Sequence, residues 1–317
     1  GVVVRLESGG AVYQKSYGTK SVEPVLLPMT ADTIFDGASL TKVIATTPAI
    51  MLLVERGKLR LGDKVNRWIP GFEAHGKGAV TVRHLLTHTS GLRPGLSAKP
   101  AWRGVAKAID LAKAEPLTTQ PDTKFRYSDI NFILLGIAIE RITGAPLSAW
   151  PLGDGLSYGP PPGPAVATEA CSWRGRVLKG EVHDENAHAL GGAPGHAGLF
   201  GTVDGVLRFA LGLLDGSILS PAMQAQARTA QEGHRTCGWE RAFPGWSGGN
   251  ACSADTIGHT GFTGTGRLDG RVERQQGGLP GDLLDGLHHR LDTLAGLRQV
   301  TGAADHFVGL MNHLLDR

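Results

Sequence analysis

Apolar and polar positions alternate at the start of the chain. The runs VVVRLE (2–7) and AVYQKSYG (11–18) are rich in β-formers and flank Ser8, Gly9 and Gly10. This predicts a hairpin closed by a short glycine turn. The period then lengthens: from Ser39 an almost continuous apolar run extends to Val54 and stops at Gly57, with Glu55 and Lys58 on the exposed side. That pattern predicts a helix with Ser39 as its N-cap. Pro48 lies inside the run, where a straight helix would lose a hydrogen bond at a cost of about 3 kcal/mol, so a kink is expected there.

Helical periodicity recurs over 82–89, 102–114, 130–142, 203–214 and 221–230. Asp129 is placed to cap the third of these and Gly144 to stop it, while Ser220 followed by Pro221 reads as a cap with proline at the first helical position. Loops rich in glycine and proline separate the helices, notably PLGDGLSYGPPPGP (151–164), read as a plain surface connector, and LGGAPGHAGLFG (190–201). A hairpin, then many helices, then a return to HTGFTGTG (259–266) predicts an α/β (α+β) fold, an antiparallel sheet flanked by helices with an inserted all-helical domain. The expected division is a discontinuous sheet domain, 1–58 with 235–317, around a mainly helical insertion, 59–234.

Composition narrows the partners. A chain of 317 residues, 41% hydrophobic and 19% charged, can bury a sizeable core without disulfides, and a formal charge of +3 is too small to imply nucleic acid or an anionic membrane. Cys171, Cys237 and Cys252 form no CxxC pair. The longest apolar run is interrupted at Pro48 and Glu55, so no bilayer span is expected. No basic leader precedes the first strand, and compartment and oligomeric state stay open. His84 and His88 are one helical turn apart, and His183, Asp184, His188 and His196 cluster in sequence. No HExxH or cysteine–histidine spacing accompanies them, so no metal or organic cofactor is expected.

Candidate chemistry begins with Ser39 and Lys42. Residues three apart share a helix face, and a serine becomes nucleophilic when a neighbouring lysine or tyrosine takes its proton. One SxxK is also expected by chance in a chain of this length, so the pair alone fits a cap and a solvated lysine better than a nucleophile and its partner. YSD (127–129) where a loop enters a helix, and HTG (259–261) towards the C-terminus, add two further motifs in order. With TIFDGASLTKV, VRHLLTHTSGL, FRYSDINFILLG, VHDENAHALGG and GHAGLFGT, they make the sequence resemble the serine β-lactamase and penicillin-binding-protein superfamily over residues 1–265. The likeness is to class C β-lactamases, D-alanyl-D-alanine carboxypeptidases and related esterases in particular.

The resemblance implies an acyl-enzyme on Ser39, with Lys42 beside it as base or charge, Tyr127 relaying a proton, and His259 in place of the usual third-motif lysine. It implies an oxyanion hole from the N–H groups of Ser39 and Phe262, substrate contacts from Asp129, Thr260 and Gly261, and supporting positions at His183, Asp184 and His196. The substrate class implied is a small-molecule ester, with a D-Ala-terminated peptide or β-lactam as the alternative.

Two departures bear on that reading. The second motif usually ends in asparagine, and Asp129 can only accept, so it favours a charged Lys42 and removes a donor useful for amides, which tilts the expectation to esters. Beyond the third motif, GRLDGRVERQQGGLPG (266–281) has few residues to bury, and the leucines of 283–297 follow a helical stripe. On this pattern no strand pair is expected after HTG, whose edge would lie open. The competing reading is a non-catalytic binding or scaffold relic with an altered tail.

Overall fold

The alternating N-terminal run forms a hairpin, β1 (Val2–Ser8) paired antiparallel with β2 (Ala11–Tyr17), in register from Val2 opposite Tyr17 to Ser8 opposite Ala11. The computed structural model describes residues 1–8, 11–159, 163–231, 233–246 and 253–269. Gly9, Gly10, Cys252 and the leucine stripe of 283–297 therefore lie outside the described residues. After the hairpin come β3 (Thr19–Ser21), β4 (Leu27–Pro28) and β5 (Phe35–Asp36), and then the first long helical segment.

That segment is not the capped, kinked helix expected from Ser39. Lys42–Thr46 is a π-helical turn leading into α1 (Thr47–Glu55), and the Thr47 N–H bonds to the Lys42 carbonyl five residues back. Pro48, which has no N–H to offer, falls in the first turn of α1, where none is needed. The disruption foreseen at Pro48 is thus carried by the widened turn before it. Ser39 is not a side-chain cap: the segment has no side-chain cap bond at its start, and the Ser39 hydroxyl is engaged elsewhere.

Among the described residues, five more α-helices follow. They are α2 (Val82–Leu86), α3 (Val105–Ala114), α4 (Asp129–Thr143), α5 (Glu185–Ala189) and, beyond the strands, α6 (Val203–Asp215). A seventh, α7 (Pro221–Arg228), is capped by Ser220 with Pro221 at its start, as its sequence predicts. Helix α4 is buried without interruption from Ile130 to Ile139 and ends at Gly144 in the left-handed conformation, φ 71°. An all-round apolar helix belongs in the middle of a core, and α4 packs against α1, α2 and α3. Its expected cap is displaced by one residue: Ser128 is the N-cap, in extended conformation, and Asp129 is the first helical residue.

Among the described residues, besides the β1–β2 hairpin and the β3–β4 pair, two small sheets frame the helices. β6 (Leu156–Tyr158) and β5 both pair with β9 (Leu199–Gly201), and β7 (Ala167–Cys171) pairs with β8 (Arg176–Lys179). The proposed division into 1–58 with 235–317 and 59–234 is therefore crossed by the β5 to β9 pairing. A third sheet, β10 (Glu240–Arg241), β11 (Ile257–Thr260) and β12 (Gly266–Asp269), is antiparallel throughout. It corrects the expectation of an unpartnered HTG strand: β11 lies between two neighbours, with His259 opposite Arg267 and Thr260 opposite Gly266. Backbone pairing needs no large side chains, and Gly266 to Asp269 can close a ladder that their weak hydrophobicity did not advertise.

Glycine is required where α4 meets the loop before β9. A methyl group on Gly195 would overlap the Phe132 carbonyl oxygen and lie 2.9 Å from the Gly136 backbone nitrogen. Gly195→Ala is expected to lower the unfolding free energy by about 2–3 kcal/mol, because backbone groups cannot yield as a flexible side chain can. Urea denaturation checks it; a change smaller than about 0.5 kcal/mol would show that the loop shifts without cost.

Candidate active site

The π-helical turn leaves Lys42 completely buried beneath Ser39, which is half-exposed. Three acceptors surround its ammonium: Ser39 Oγ at 2.9 Å, the His196 carbonyl at 3.0 Å and the Asp129 carboxylate at 2.7 Å. The Tyr127 hydroxyl donates to the same Ser39 Oγ at 2.8 Å. Burial alone would depress the Lys42 pKa, but Tyr127 and Asp129 outweigh it and raise the value above the ordinary lysine range. Lys42 is consequently an ammonium at neutral pH.

The turn carrying Ser39 is fixed by Asp36. Its buried carboxylate accepts the Ala38 N–H at 2.8 Å through one oxygen and the His183 N–H at 2.7 Å through the other. Burial raises the Asp36 pKa, against the lowering effect of those two N–H groups. Ala38 sits at φ +43°, unusual for a residue other than glycine. Thr41 holds it by donating to the Ala38 carbonyl at 2.7 Å and accepting the Leu199 N–H at 3.1 Å.

The HTG segment packs against this turn backbone to backbone. Thr263 Oγ1 donates to the Asp36 carbonyl at 2.6 Å and Thr265 Oγ1 to the Gly37 carbonyl at 3.2 Å. A methyl group on Gly261 would lie 2.6 Å from the Gly37 oxygen, so only glycine allows the approach. Among the described residues no intramolecular hydrogen bond occupies the N–H of Ser39 or of Phe262. Thr260 is exposed on the same segment, and the Phe262 ring is 77% exposed, tilted over the His183 ring at 5.2 Å.

His259 is buried, 6.1 Å from the Tyr127 ring between centroids, with Nδ1 at 2.7 Å from the Thr260 carbonyl. Burial, reinforced by the Lys42 and Arg235 cations, pushes its pKa down to about 3. It is an uncharged ring where the resemblance implies a lysine. Asp184 and His196 pair at 2.8 Å, and burial of the Asp184 carboxylate is outweighed by His196 and the Ala187 N–H, which hold its pKa well below the usual range. His196 reaches Lys42 through its carbonyl, not its ring. His183 Nε2 pairs with Glu169 at 3.0 Å.

The other histidines are dispersed. His84 belongs to the capping box of α2 with Thr81, and His188 meets the Trp173 ring edge-on. Among the described residues no three His, Cys, Asp or Glu side chains converge as metal ligands would. A cavity of about 370 Å³ lies behind Leu40 and Ile44 towards the hairpin, and none of the candidate residues lines it. Sequence reasoning weighed His88 only as a metal ligand beside His84, and missed Asp36 and the buried Arg235, which is ion-paired with Glu240. A visible signal existed only for Asp36: an aspartate two residues before an alanine that must take a turn conformation.

Comparison with known proteins gives concordant matches. The family model described as Beta-lactamase matches residues 1–269. An N-acetylmuramyl-L-alanine amidase of Bacillus subtilis (strain 168) is 32% identical over 83% of this chain and 72% of its own. A putative D-alanyl-D-alanine carboxypeptidase of Escherichia coli (strain K12) is 31% identical over 80% and 71%. Among solved structures, EstCE1, a hydrolase with promiscuous acyltransferase activity, superposes with a TM-score of 0.63 at 26% identity, over 84% of this chain and 83% of that one.

Proposed function

The chain belongs to the β-lactamase family, with the family's mixed helical and antiparallel-sheet fold, and we propose that it is a serine hydrolase forming an acyl-enzyme on Ser39, acting on small esters. The observation that carries this reading is one oxygen with two partners: Ser39 Oγ lies within hydrogen-bond reach of both Lys42 Nζ and Tyr127 OH. A capped helix with a solvated lysine would bring neither group to the hydroxyl.

In the proposed reaction Ser39 Oγ bonds to the substrate carbonyl carbon while its proton passes to the Tyr127 oxygen. In the same step the Tyr127 hydroxyl, turned from Ser39 to the substrate, passes its own proton to the alkoxy oxygen, so that Tyr127 never holds two protons, and the alcohol leaves as the carbon–oxygen bond then breaks. Lys42 stays an ammonium throughout, stabilising charge on Ser39 and Tyr127 without exchanging its proton. The N–H groups of Ser39 and Phe262 receive the oxyanion, and water then repeats the sequence in reverse to free the acid. His183, Asp184 and His196 serve as braces, with Thr260 and Gly261 forming the substrate wall.

The ester preference is supported by charge. Asp129 neutralises Lys42, Glu240 neutralises Arg235, and His259 is uncharged. None of these groups is left to recognise the carboxylate of a D-Ala-terminated peptide or a β-lactam. The second reading, a D-Ala-terminated peptide substrate, is favoured by the name of the Escherichia coli relative.

Intact-protein mass spectrometry after incubation with a fluorophosphonate probe tests the reading. One adduct on the wild type and none on Ser39→Ala is the expected result. No adduct on a folded wild type would overturn it in favour of a non-catalytic binding protein. Relative rates on a nitrophenyl ester, a D-Ala-D-Ala peptide and a chromogenic cephalosporin then separate the substrate classes.

A further inference from the structure

The segment LLTHTSG (85–91) does no work in the mechanism above, yet it supplies the most constrained histidine near Ser39. Helix α2 ends at Leu86, and His88 follows in the left-handed region at φ +58°, almost wholly buried. Such a conformation is strained for a non-glycine residue and persists only where its surroundings enforce it.

Those surroundings are the two neighbours of Tyr127 and the tyrosine ring itself. The Arg126 N–H donates to the His88 carbonyl at 2.8 Å, and the Ser128 N–H donates to His88 Nδ1 at 3.0 Å. Between those bonds the Tyr127 ring lies 4.5 Å from the imidazole, tilted by 30°. Phe132 borders the imidazole at 5.2 Å, and Phe125 meets it edge-on at 6.0 Å.

The hydrogen-bond network assigns the tautomer. Ser90 Oγ donates to Asn131 Oδ1 at 2.6 Å, which turns the Asn131 amide nitrogen towards His88 Nδ1 at 3.3 Å. Nδ1 thus faces two N–H donors and must be the unprotonated nitrogen, with the proton on Nε2. Burial pushes the His88 pKa well below the ordinary histidine value, and the Arg235, Lys42 and His259 groups around it act in the same direction. The acceptor at Nδ1 is therefore present throughout the working pH range.

We propose that His88 is a positioning residue that aims the Tyr127 hydroxyl at Ser39 Oγ, acting through the hydrogen bonds that its carbonyl and its Nδ1 accept from the backbone on either side of Tyr127. The inference rests on Tyr127 being the proton carrier in the function proposed above. Three elements converge on this arrangement: the loop after α2 provides the imidazole, the start of α4 provides Ser128 and Asn131, and the π-helical turn provides the charge that Tyr127 faces at 5.0 Å.

Two substitutions separate the parts of this clamp. His88→Asn tolerates positive φ and sets a carbonyl oxygen near the position of Nδ1, keeping the acceptor without the ring. His88→Phe keeps a ring but leaves the Ser128 and Asn131 donors without their partner. The readout is the ratio of kcat/KM for a nitrophenyl ester to that for an ethyl ester of the same acid. A nitrophenolate leaves unaided, whereas an alkoxide needs the proton Tyr127 delivers, so misplacing Tyr127 raises the ratio.

The expected result is a ratio raised about tenfold or more in His88→Phe, carried by kcat with KM little changed, and within about threefold of wild type in His88→Asn. Equal losses on both esters in folded His88→Phe would mean that His88 only supports the fold, and would overturn the proposal. If His88→Phe does not fold, His88→Asn decides: a ratio kept near wild type supports the acceptor as the working part, and a large rise sinks it. A wild type that neither labels with fluorophosphonate nor turns over either ester would instead defeat the function itself, before His88 is at issue.

Discussion

Tyr127→Phe is expected to reduce kcat/KM on an alkyl ester by about 10²–10⁴-fold, the range spanned by the loss of a positioned proton carrier. The substitution removes a single oxygen, the one 2.8 Å from Ser39 Oγ, and keeps the ring that stacks on His88 and faces Lys42. The fold should be retained, with a melting temperature within a few degrees of wild type. The loss should be larger on an ethyl ester than on a nitrophenyl ester, because only the alkoxide depends on protonation to leave. Tyr127 also raises the Lys42 pKa, so the variant should bring the Lys42 titration to lower pH. Steady-state kinetics on both esters, with a pH profile, checks the loss, the ester dependence and the titration, and thermal denaturation checks the fold. A loss of less than about tenfold on the ethyl ester would show that Lys42 carries the proton instead, and that Tyr127 is a wall of the site.

The proximity behind this prediction was partly legible in the sequence. An i, i+3 spacing brings Ser39 and Lys42 together on any helical turn, and the order of the SxxK, YSD and HTG motifs marked the three segments that converge. What spacing could not convey is the turn's widening. Pro48 announced a disruption, but the widened turn that carries it comes before the proline, among fully buried residues that include Val43 and Ile44. Nor could spacing reveal that the third acceptor of Lys42 is a backbone carbonyl, that of His196, since every residue carries one.

His88 and β12 were misread for related reasons. His88 follows His84 by four residues, which reads as one helical face. The positive φ that ends α2 early comes from tertiary bonds to Arg126 and Ser128, forty residues away in sequence, and local propensity is silent on it. The strand Gly266–Asp269 looked too polar to pair, yet its partner β11 already lies against β10, and a strand joins such an edge through its backbone. Asp129 was placed one residue early as a cap. Ser128 takes the cap's extended conformation while its hydroxyl donates to the Arg93 carbonyl, which leaves Asp129 inside the helix and directed at Lys42.

That position makes Asp129→Asn the substitution that should redirect the enzyme. With the carboxylate gone, burial acts on Lys42 against Tyr127 alone, and the lysine pKa must fall. In the wild type the ammonium's interactions stabilise the protein at every pH below the ordinary lysine value, and they weaken only as pH rises through the raised one. In Asp129→Asn that alkaline limb moves towards neutrality, and ester hydrolysis is lost at lower pH than in the wild type. The new amide also brings a donor that a carboxylate lacks, available to the carbonyl of an amide or β-lactam substrate. One such bond contributes about 1–1.5 kcal/mol, so the ratio of kcat/KM for a chromogenic cephalosporin to that for a nitrophenyl ester should rise about tenfold. The two effects share one cause, the charge at residue 129, and must appear together. An unmoved alkaline limb with an unchanged ratio would show that Asp129 neither governs the charge on Lys42 nor discriminates against amides, and would remove the basis for the ester assignment.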